Sequence, residues 1–291
     1  MKLGPELVQQ IRDKARELLT SEAVDCVIGY GRATDGVTAR PLFVYEPEKV
    51  NDLIFDETCT HNLVGYLVNR KGKKTGIVVK PCDSRAINVL LNEGQISRDD
   101  VSIIGVVCDG VVETGWNRVG EAKQARCQYC HQHTPVVYDF LIGEPREESP
   151  PSAEDYAAVA EMEAKSPEER EAFWAEQFDR CCRCYACRQV CPGCYCTECF
   201  VDKLDPMWVG IRIAPEENRI WHTIRAYHLA GRCSGCNECE RVCPVNIPLS
   251  LLNRKMARDV DDLFGFQAGL DDKEMQPLGA FDKDEKLGIG E

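Results

Sequence analysis

Residues 181–192 read CCRCYACRQVCP, and residues 233–244 read CSGCNECERVCP. In both stretches four cysteines follow the pattern C-x2-C-x2-C-x3-C, and a proline comes directly after the fourth. The eight cysteines are Cys181, Cys184, Cys187, Cys191, Cys233, Cys236, Cys239 and Cys243. Thiols repeated at such close spacing are typical of metal ligands rather than of scattered core residues.

This spacing is that of bacterial ferredoxins, in which three cysteines of one run bind one [4Fe–4S] cluster and the fourth binds its neighbour. The sequence therefore predicts one cluster on Cys181, Cys184, Cys187 and Cys243, and a second on Cys233, Cys236, Cys239 and Cys191. Zinc is a weaker alternative, because zinc sites use two CxxC pairs without a fourth cysteine followed by proline. Disulfides are weaker still, since cysteines two residues apart seldom bridge without strain. We expect a protein that moves single electrons.

The composition agrees with an intracellular redox protein. The chain has 291 residues, enough for two domains, and its eighteen cysteines cluster at metal spacings, so we expect a reducing, cytoplasmic compartment. The N-terminus reads as an amphipathic helix without the apolar core of a signal peptide, and we expect no transmembrane segment. A net charge of −13 argues against nucleic acid as a partner.

The first part of the chain predicts an α/β domain over residues 1–145. Residues 76–80 (GIVVK) and 101–107 (VSIIGVV) are continuous apolar runs, with a helical pattern at 84–92 between them. Apolar strands joined by a helix indicate a buried, mostly parallel sheet.

Further elements are expected around this sheet. Residues 24–28 and 41–45 flank an Asp-Gly turn and predict a hairpin or adjacent strands. Residues 46–55 and 62–70 resemble helices.

The second part predicts an α-helical domain. A linker and an acidic helix occupy residues 146–178, with the proline-rich stretch GEPREESPPS at their start. The dicluster domain follows over residues 179–266, with helices at 221–230 and 248–264. An acidic tail is expected over residues 267–291.

A second group of cysteines predicts a third [4Fe–4S] cluster. Cys82 and Cys108 each end a predicted strand, and Cys127 and Cys130 form a CxxC pair. Ligands of open α/β sheets bind at the carboxyl ends of strands, so the four thiols are expected to converge there. The alternative is that Cys82 and Cys108 are small buried hydrophobic residues.

The remaining cysteines and two histidines are given no ligand role. Cys26 and Cys59 are expected to be structural, and His222 and His228 to serve packing or hydrogen bonding. Four further cysteines match no cluster pattern and are left unassigned: Cys182 within the first motif, and Cys194, Cys196 and Cys199 after it.

The N-terminal part resembles the beta-subunit family of coenzyme F-420 hydrogenases and dehydrogenases. The segments that carry the resemblance are VDCVIGY (24–30), YEPEKVNDL (45–53), VVKPCDSRAINVLL (78–91), VSIIGVVCDG (101–110) and CQYCHQHTPVVYDFLIGE (127–144). The cysteine-rich segments 181–196 and 231–249 are similar to iron–sulfur subunits of formate dehydrogenase and heterodisulfide reductase-type complexes.

The resemblance implies an iron–sulfur subunit of an anaerobic oxidoreductase complex. Such a subunit passes electrons between a hydride or low-potential carrier, such as ferredoxin or a flavin-linked carrier, and a catalytic partner of hydrogenase, formate dehydrogenase or heterodisulfide reductase type. FAD is a possible further cofactor, although the glycine-rich segment that opens the family's flavin site has no counterpart in this sequence. The alternative is an electron-relay or adaptor subunit with neither flavin nor a substrate of its own.

Overall fold

The computed structural model describes residues 4–115, 117–148, 153–277 and 279. The helices are α1 (Pro5–Thr20), α2 (Gly65–Val68), α3 (Pro81–Asn92), α4 (Ala125–Gln128), α5 (Ala157–Glu163), α6 (Pro167–Asp179), α7 (Ala186–Gln189), α8 (Pro215–His228), α9 (Glu238–Arg241) and α10 (Leu249–Phe264). The strands are β1 (Cys26–Arg32), β2 (Ala39–Val44), β3 (Leu53–Ile54), β4 (Thr75–Val79), β5 (Val101–Val106), β6 (Val112–Gly115), β7 (Arg118–Lys123) and β8 (Phe140–Ile142).

The first part of the chain is built on one mixed sheet with the order β2-β1-β4-β5-β8. The pairs β1–β4, β4–β5 and β5–β8 are parallel, whereas β2 and β3 pair with β1 antiparallel. Every residue of β4 is buried, as expected for a central parallel strand, and α3 connects it to β5. The predicted α/β fold with a mostly parallel sheet is therefore confirmed, as is the hairpin of β1 and β2.

Two helices predicted beside the sheet are largely wrong. Residues 46–55 form a 3-10 turn at Pro47–Asp52, which leads into β3 and its pairing with β1. Within residues 62–70 only Gly65–Val68 is helical. In both places apolar side chains face the sheet core without the length that a stable helix needs.

The second part of the chain is helical. The acidic helix predicted over residues 153–178 is two helices, because Ser166 caps a new one that begins at Pro167. The helices predicted at 221–230 and 248–264 are present as α8 and α10.

The two parts pack against each other along α3. Val89 of α3 shares a small apolar core with Val260 of α10 and with Phe266. Arg85 donates from Nε to the Ala268 carbonyl at 2.9 Å, and Asn88 donates to the Gly269 carbonyl at 3.1 Å.

Part of the segment predicted as a tail is thus docked on the sheet domain. Residues 278 and 280–291 of that tail, and residues 149–152 of the predicted linker, lie outside the described residues. None of the helices in the described ranges has the length and apolar character needed to cross a bilayer.

Candidate metal centres

The thiols of the first predicted cluster surround one small cavity, which we name site A. Cys181, Cys184 and Cys187 line it together with Cys243 of the second motif. Cys181 and Cys187 are buried, whereas Cys184 is exposed. The structure therefore brings a thiol of the second motif to the cavity that three thiols of the first motif line.

Hydrogen-bond donors surround the sulfur atoms of site A. The backbone N–H of Arg183 donates to Cys181 Sγ at 3.4 Å, and that of Ile247 donates to Cys243 Sγ at 3.4 Å. Burial raises the pKa of Cys181 to about 11. A buried thiol becomes a thiolate only where positive charge and donors compensate the lost hydration, and a bound metal centre would supply that charge.

The second predicted cluster corresponds to site B, formed by Cys191, Cys233, Cys236 and Cys239. Burial raises the pKa of Cys233, Cys236 and Cys239, and the nearby charge of Cys191 raises it further in all three. Asn253 of α10 donates from Nδ2 to Cys239 Sγ at 3.4 Å. Cys191, from the first motif, is therefore the electrostatic neighbour of the three cysteines of the second.

The two motifs also share one local backbone. Tyr185 follows the second cysteine of its motif in a left-handed conformation with φ 57°, and Asn237 does the same at φ 51°. The residues before these cysteines, Arg183 and Gly235, also have positive φ values of 48° and 73°. In each motif a four-residue helix, α7 or α9, then carries the third cysteine. The two motifs therefore share their backbone conformation as well as their cysteine spacing, as expected for two related metal-binding loops.

The N-terminal group, which we name site C, lies at the carboxyl ends of β4 and β5. Cys82 lies in the first turn of α3, just after β4 ends, rather than at the strand end that the sequence predicted. Cys108 lies just beyond β5, Cys127 lies in α4, and Cys130 follows that helix. Burial raises the pKa of Cys82, and the charge of Cys108 adds to it. Burial raises the pKa of Cys108 to about 11, with further contributions from Cys127 and Cys130. The four predicted thiols are therefore electrostatic neighbours.

Backbone donors and a buried ion pair position the thiols of site C. Gly110 N donates to Cys108 Sγ and Val111 N donates to Cys127 Sγ, both at 3.3 Å. Beside Cys82, the Lys80 ammonium lies 2.8 Å from the Asp83 carboxylate, and both side chains are almost fully buried. The turn that carries Cys82 is thereby fixed from both sides.

A cavity of about 490 Å³ separates site C from site B. Cys82, Cys127 and Cys130 line one side, and Cys233 of site B lines it as well. Its lining also includes three arginines, two tyrosines and two carboxylates: Arg85, Arg126, Arg254, Tyr129, Tyr156, Glu148 and Asp155. Because the arginines outnumber the carboxylates and lie beside aromatic rings, the cavity is suited to an anionic ligand with a flat ring.

Arg126 of α4 connects sites B and C directly. Its Nη1 donates to the Cys236 carbonyl and its Nη2 donates to the Thr60 carbonyl at 2.7 Å. The Arg126 side chain is also 4.0 Å from the buried Glu238 carboxylate, which pairs with Arg241. Arg126 lies next to Cys127 in the sequence, so one buried side chain reaches from site C to site B.

Helix α8 contributes side chains that the cysteine spacing does not reveal. Asn218, His222 and Arg225 recur at helical spacing and are buried on one face. His222 Nε2 is 3.3 Å from Cys181 Sγ, and its ring stacks on Phe178. The sequence shows only that these residues share one helical face, and the fold is needed to show that this face is buried.

The unassigned cysteines do not form a cluster of their own. Cys194 hydrogen-bonds to Cys191, which lowers the pKa of Cys191. Cys199 lies beside Arg188 and packs against the core around Trp221, whereas Cys182 and Cys196 are exposed. Cys26 and Cys59 are fully buried in the sheet core.

The thiols of sites A, B and C do not form binding sites for a single metal ion. Among the described residues, no three of the His, Cys, Asp or Glu side chains form a group that could hold one metal ion. The cluster assignment therefore depends on the grouping of the thiols in fours, on their donors and on the shared backbone of the motifs.

Two known proteins are similar to this chain over most of its length. No family model matches the chain. The chain is 23% identical to the F420-dependent formate dehydrogenase subunit beta of Methanocaldococcus jannaschii, over 90% of this chain and 91% of that protein. It is 24% identical to the F420-dependent formate dehydrogenase 1 subunit beta of Methanococcus maripaludis, over 90% of each. The resemblance to F-420 dehydrogenase beta subunits is thereby confirmed.

Proposed function

We propose that this chain is the iron–sulfur electron-transfer subunit of an oxidoreductase complex. The observation that carries the proposal is the exchange of cysteines between the two motifs, since Cys243 lines the cavity of Cys181, Cys184 and Cys187. Ferredoxins with two clusters use this exchange, and a mononuclear zinc site gives no reason for it. Sites A and B would each hold a [4Fe–4S] cluster, and site C a third.

The partner follows from the relatives. The two similar archaeal proteins are named as beta subunits of formate dehydrogenases, which implies a second, catalytic subunit in each complex. We infer the same arrangement here, with a catalytic partner of the formate dehydrogenase, hydrogenase or heterodisulfide reductase type. The carrier on the other side would be a hydride donor or a low-potential carrier such as ferredoxin. The proposed domains are an α/β domain at 1–145 and a dicluster domain at 179–266, joined by 146–178.

The side chains of this protein would hold and order the redox groups. A [4Fe–4S] cluster accepts and releases one electron at a time. At sites A and C, backbone N–H groups donate to cysteine sulfurs, which would stabilise a bound cluster. Site C and site B border the same cavity, and site B shares both motifs with site A. Electrons would therefore pass in the order C, B, A, or in reverse, with the exposed Cys184 marking site A as the end nearest to a partner.

A metal analysis of the full chain tests the proposal. After anaerobic reconstitution we expect about twelve irons and twelve sulfides per chain, at four per cluster. Single replacements Cys184→Ser, Cys236→Ser and Cys82→Ser should each remove about four irons, whereas the exposed Cys196→Ser should remove none. About eight irons, unchanged in Cys82→Ser, would leave two clusters and reject site C. Zinc in place of iron would reject the proposal.

A flavin-linked form of this function is favoured by the cavity between sites B and C. Arg254 lies over the rings of Tyr129 and Tyr156, at 5.5 and 5.2 Å from their centroids, and all three residues line the cavity. Its volume of about 490 Å³ is in the range of cofactor sites. Arginines would bind the diphosphate of FAD, and the flavin would convert hydride pairs into single electrons for the clusters.

The flavin is tested separately from the clusters. We expect acid denaturation to release about one FAD per chain, which chromatography with authentic FAD identifies. Arg254→Ala should lower the FAD content and leave the iron content unchanged, whereas Arg212→Ala, at an exposed position, should change neither. A chain that carries all its iron but no FAD would be a pure electron relay.

A further inference from the structure

Asn253 is a buried polar residue on the apolar face of α10. Leu249, Met256 and Val260 recur on this face at helical spacing, and each of them packs into an apolar cluster. Asn253 lies between them on the same side of the helix, and its relative exposure is 4%. An amide is costly to bury among apolar side chains unless it is hydrogen-bonded, so the position of Asn253 needs a polar partner.

That partner is a thiol of the second motif. Asn253 donates from Nδ2 to Cys239 Sγ at 3.4 Å, and Cys239 is itself buried. One turn earlier on α10, Leu249 packs in the same apolar cluster as Cys239. Beside it, the backbone N–H of Ser250 donates to the Glu240 carboxylate at 3.0 Å, which ties the start of α10 to α9. The packing of the two helices therefore fixes the amide against the sulfur.

We propose that Asn253 is a positioning residue that raises the reduction potential of the cluster at site B through its hydrogen bond to Cys239. The inference rests on the proposed function and adds to it a residue outside the cysteine motifs. Reduction adds one electron, and so one negative charge, to the cluster and its thiolates. An N–H group that donates to a ligand sulfur stabilises that added charge, and such hydrogen bonds help to set the potentials of iron–sulfur clusters. The amide keeps its protons, so one electron enters and one leaves without a bond changing at Asn253.

The effect should be confined to site B because of the course of α10. Leu249 lines the cavity of site A, and Ala257 lines the cavity between sites B and C. Asn253 lies midway between these two residues, about 6 Å along the helix axis from each. The backbone donors to the sulfurs of site A come from other segments of the chain. Asn253 would therefore act on the middle site in the proposed order C, B, A without changing site A.

The test is a potentiometric titration of the reconstituted full-length protein, followed by electron paramagnetic resonance. The signals of sites A and B are assigned first with Cys184→Ser and Cys236→Ser, each of which should lack one signal. Asn253→Leu keeps the branched shape of the side chain but removes the amide. In this variant we expect the midpoint potential of site B to shift to a more negative value, with the potential of site A and the iron content unchanged.

Two further variants complete the test. Asn253→Gln keeps an amide donor, so its site B potential should lie closer to that of the wild type than the potential of Asn253→Leu does. Asn51→Leu is the matched control, because it makes the same replacement at an exposed asparagine of the sheet domain. Its potentials should equal those of the wild type at both sites.

The outcomes separate this inference from the proposed function. Full iron content with an unchanged site B potential in Asn253→Leu, or equal shifts at sites A and B, would overturn the inference and leave the proposed function standing. A wild-type chain that binds no iron would reject the proposed function itself. If Asn253→Leu lost about four irons, Asn253→Ala, which adds no apolar atoms, takes its place and should show the same shift. Loss of the site B cluster from both variants would show that the residue holds the cluster rather than setting its potential, and would also overturn the inference.

Discussion

The shape of site C depends on the conformation of Gly110. This glycine has φ +105°, and a Cβ built on it would lie 2.9 Å from the Cβ of Cys127. Its N–H also donates to Cys108 Sγ at 3.3 Å. A side chain at this position would therefore displace two of the four predicted ligands at the same time.

We expect Gly110→Ala to lower the iron content by about four per chain, because site C would lose its geometry. The control is Gly36→Ala, since Gly36 also has a positive φ of +74° but faces open space. That variant should lose about 1 kcal/mol of stability and no iron. Equal iron in Gly110→Ala and wild type would contradict a cluster at site C.

Cys191 distinguishes ligand exchange from ligation within one motif. Its charge raises the pKa of all three site B cysteines of the second motif, and also that of Cys187 in site A. Cys191→Ser should therefore weaken or abolish the magnetic resonance signal of the site B cluster and spare that of site A. Cys196→Ser, at an exposed thiol, should leave both signals intact. If the site A signal disappeared instead, each motif would hold its own cluster.

At this scale the spacing of the cysteines predicts two sets of four ligands. The thiols of the first set do line one cavity, whereas the binding of clusters by either set stays a prediction. His222 and Arg225 could not be recognised in the same way. On a helix a charged or polar residue usually faces solvent, and only the tertiary fold shows that their side of α8 is buried.

Among the elements, helix α8 holds the first cysteine of site A in place through a buried side chain. Asn218 is almost fully buried and donates to the carbonyls of Phe178 and Cys181 at 2.8 and 2.9 Å. These two bonds tie the end of α6 and the first cysteine of site A to the helix. The Phe178 carbonyl also accepts from Cys181 N–H at 3.2 Å, so it is the Cys181 carbonyl that depends on Asn218.

We expect Asn218→Ala to cost about 1–3 kcal/mol in the free energy of unfolding, because the Cys181 carbonyl would lose its donor and the Phe178 carbonyl one of its two. Anaerobic denaturant titration, followed by loss of the visible iron–sulfur absorbance, measures the change in midpoint. Glu216→Ala, at an exposed position of the same helix, should lie within about 0.5 kcal/mol of the wild type. A midpoint in Asn218→Ala equal to that of the wild type would show that the bonds contribute nothing.

The sequence predicted long apolar elements better than short or polar ones. Strands β4 and β5 were recognised because they are buried on both faces and therefore continuously apolar. The hairpin of β6 and β7 was missed because its residues are mostly exposed, and β8 was missed because it has only three residues. The pairing of β8 with β5 depends on the path of the chain between the two strands, which no local sequence pattern predicts.

At the scale of the whole molecule, polar contacts tie the sheet domain to the helical part. Arg232 pairs with Glu93 at 2.6 Å, and α3 holds the carbonyls of residues 268 and 269. Arg126 adds a further contact, because its side chain extends from site C and donates to the carbonyl of Cys236 in site B. The sequence predicted two parts but not this junction, since the contacts join residues more than a hundred positions apart.

Removing Arg126 should therefore weaken the junction more than any single surface change. Arg126 is buried, lies 4.0 Å from Glu238, and donates to carbonyls in both parts of the molecule. We expect Arg126→Met to lower the free energy of unfolding by about 3–5 kcal/mol, because it breaks a buried charge network and leaves acceptors unpaired. Arg118→Met on β7, where the side chain is exposed, is the control and should have little effect.

The same variant tests whether the two parts act as one unit. Because Arg126 holds the Cys236 carbonyl beside α4, its loss should also expose the junction to limited proteolysis, with new cleavage between the sheet domain and the helical part. Arg126→Lys retains the positive charge but not the two guanidinium nitrogens that donate to the two carbonyls. Its free energy of unfolding and its resistance to protease should therefore lie between those of the wild type and of Arg126→Met. If Arg126→Met resisted denaturant and protease as the wild type does, the apolar contacts of Val89, Val260 and Phe266 would suffice to hold the parts together.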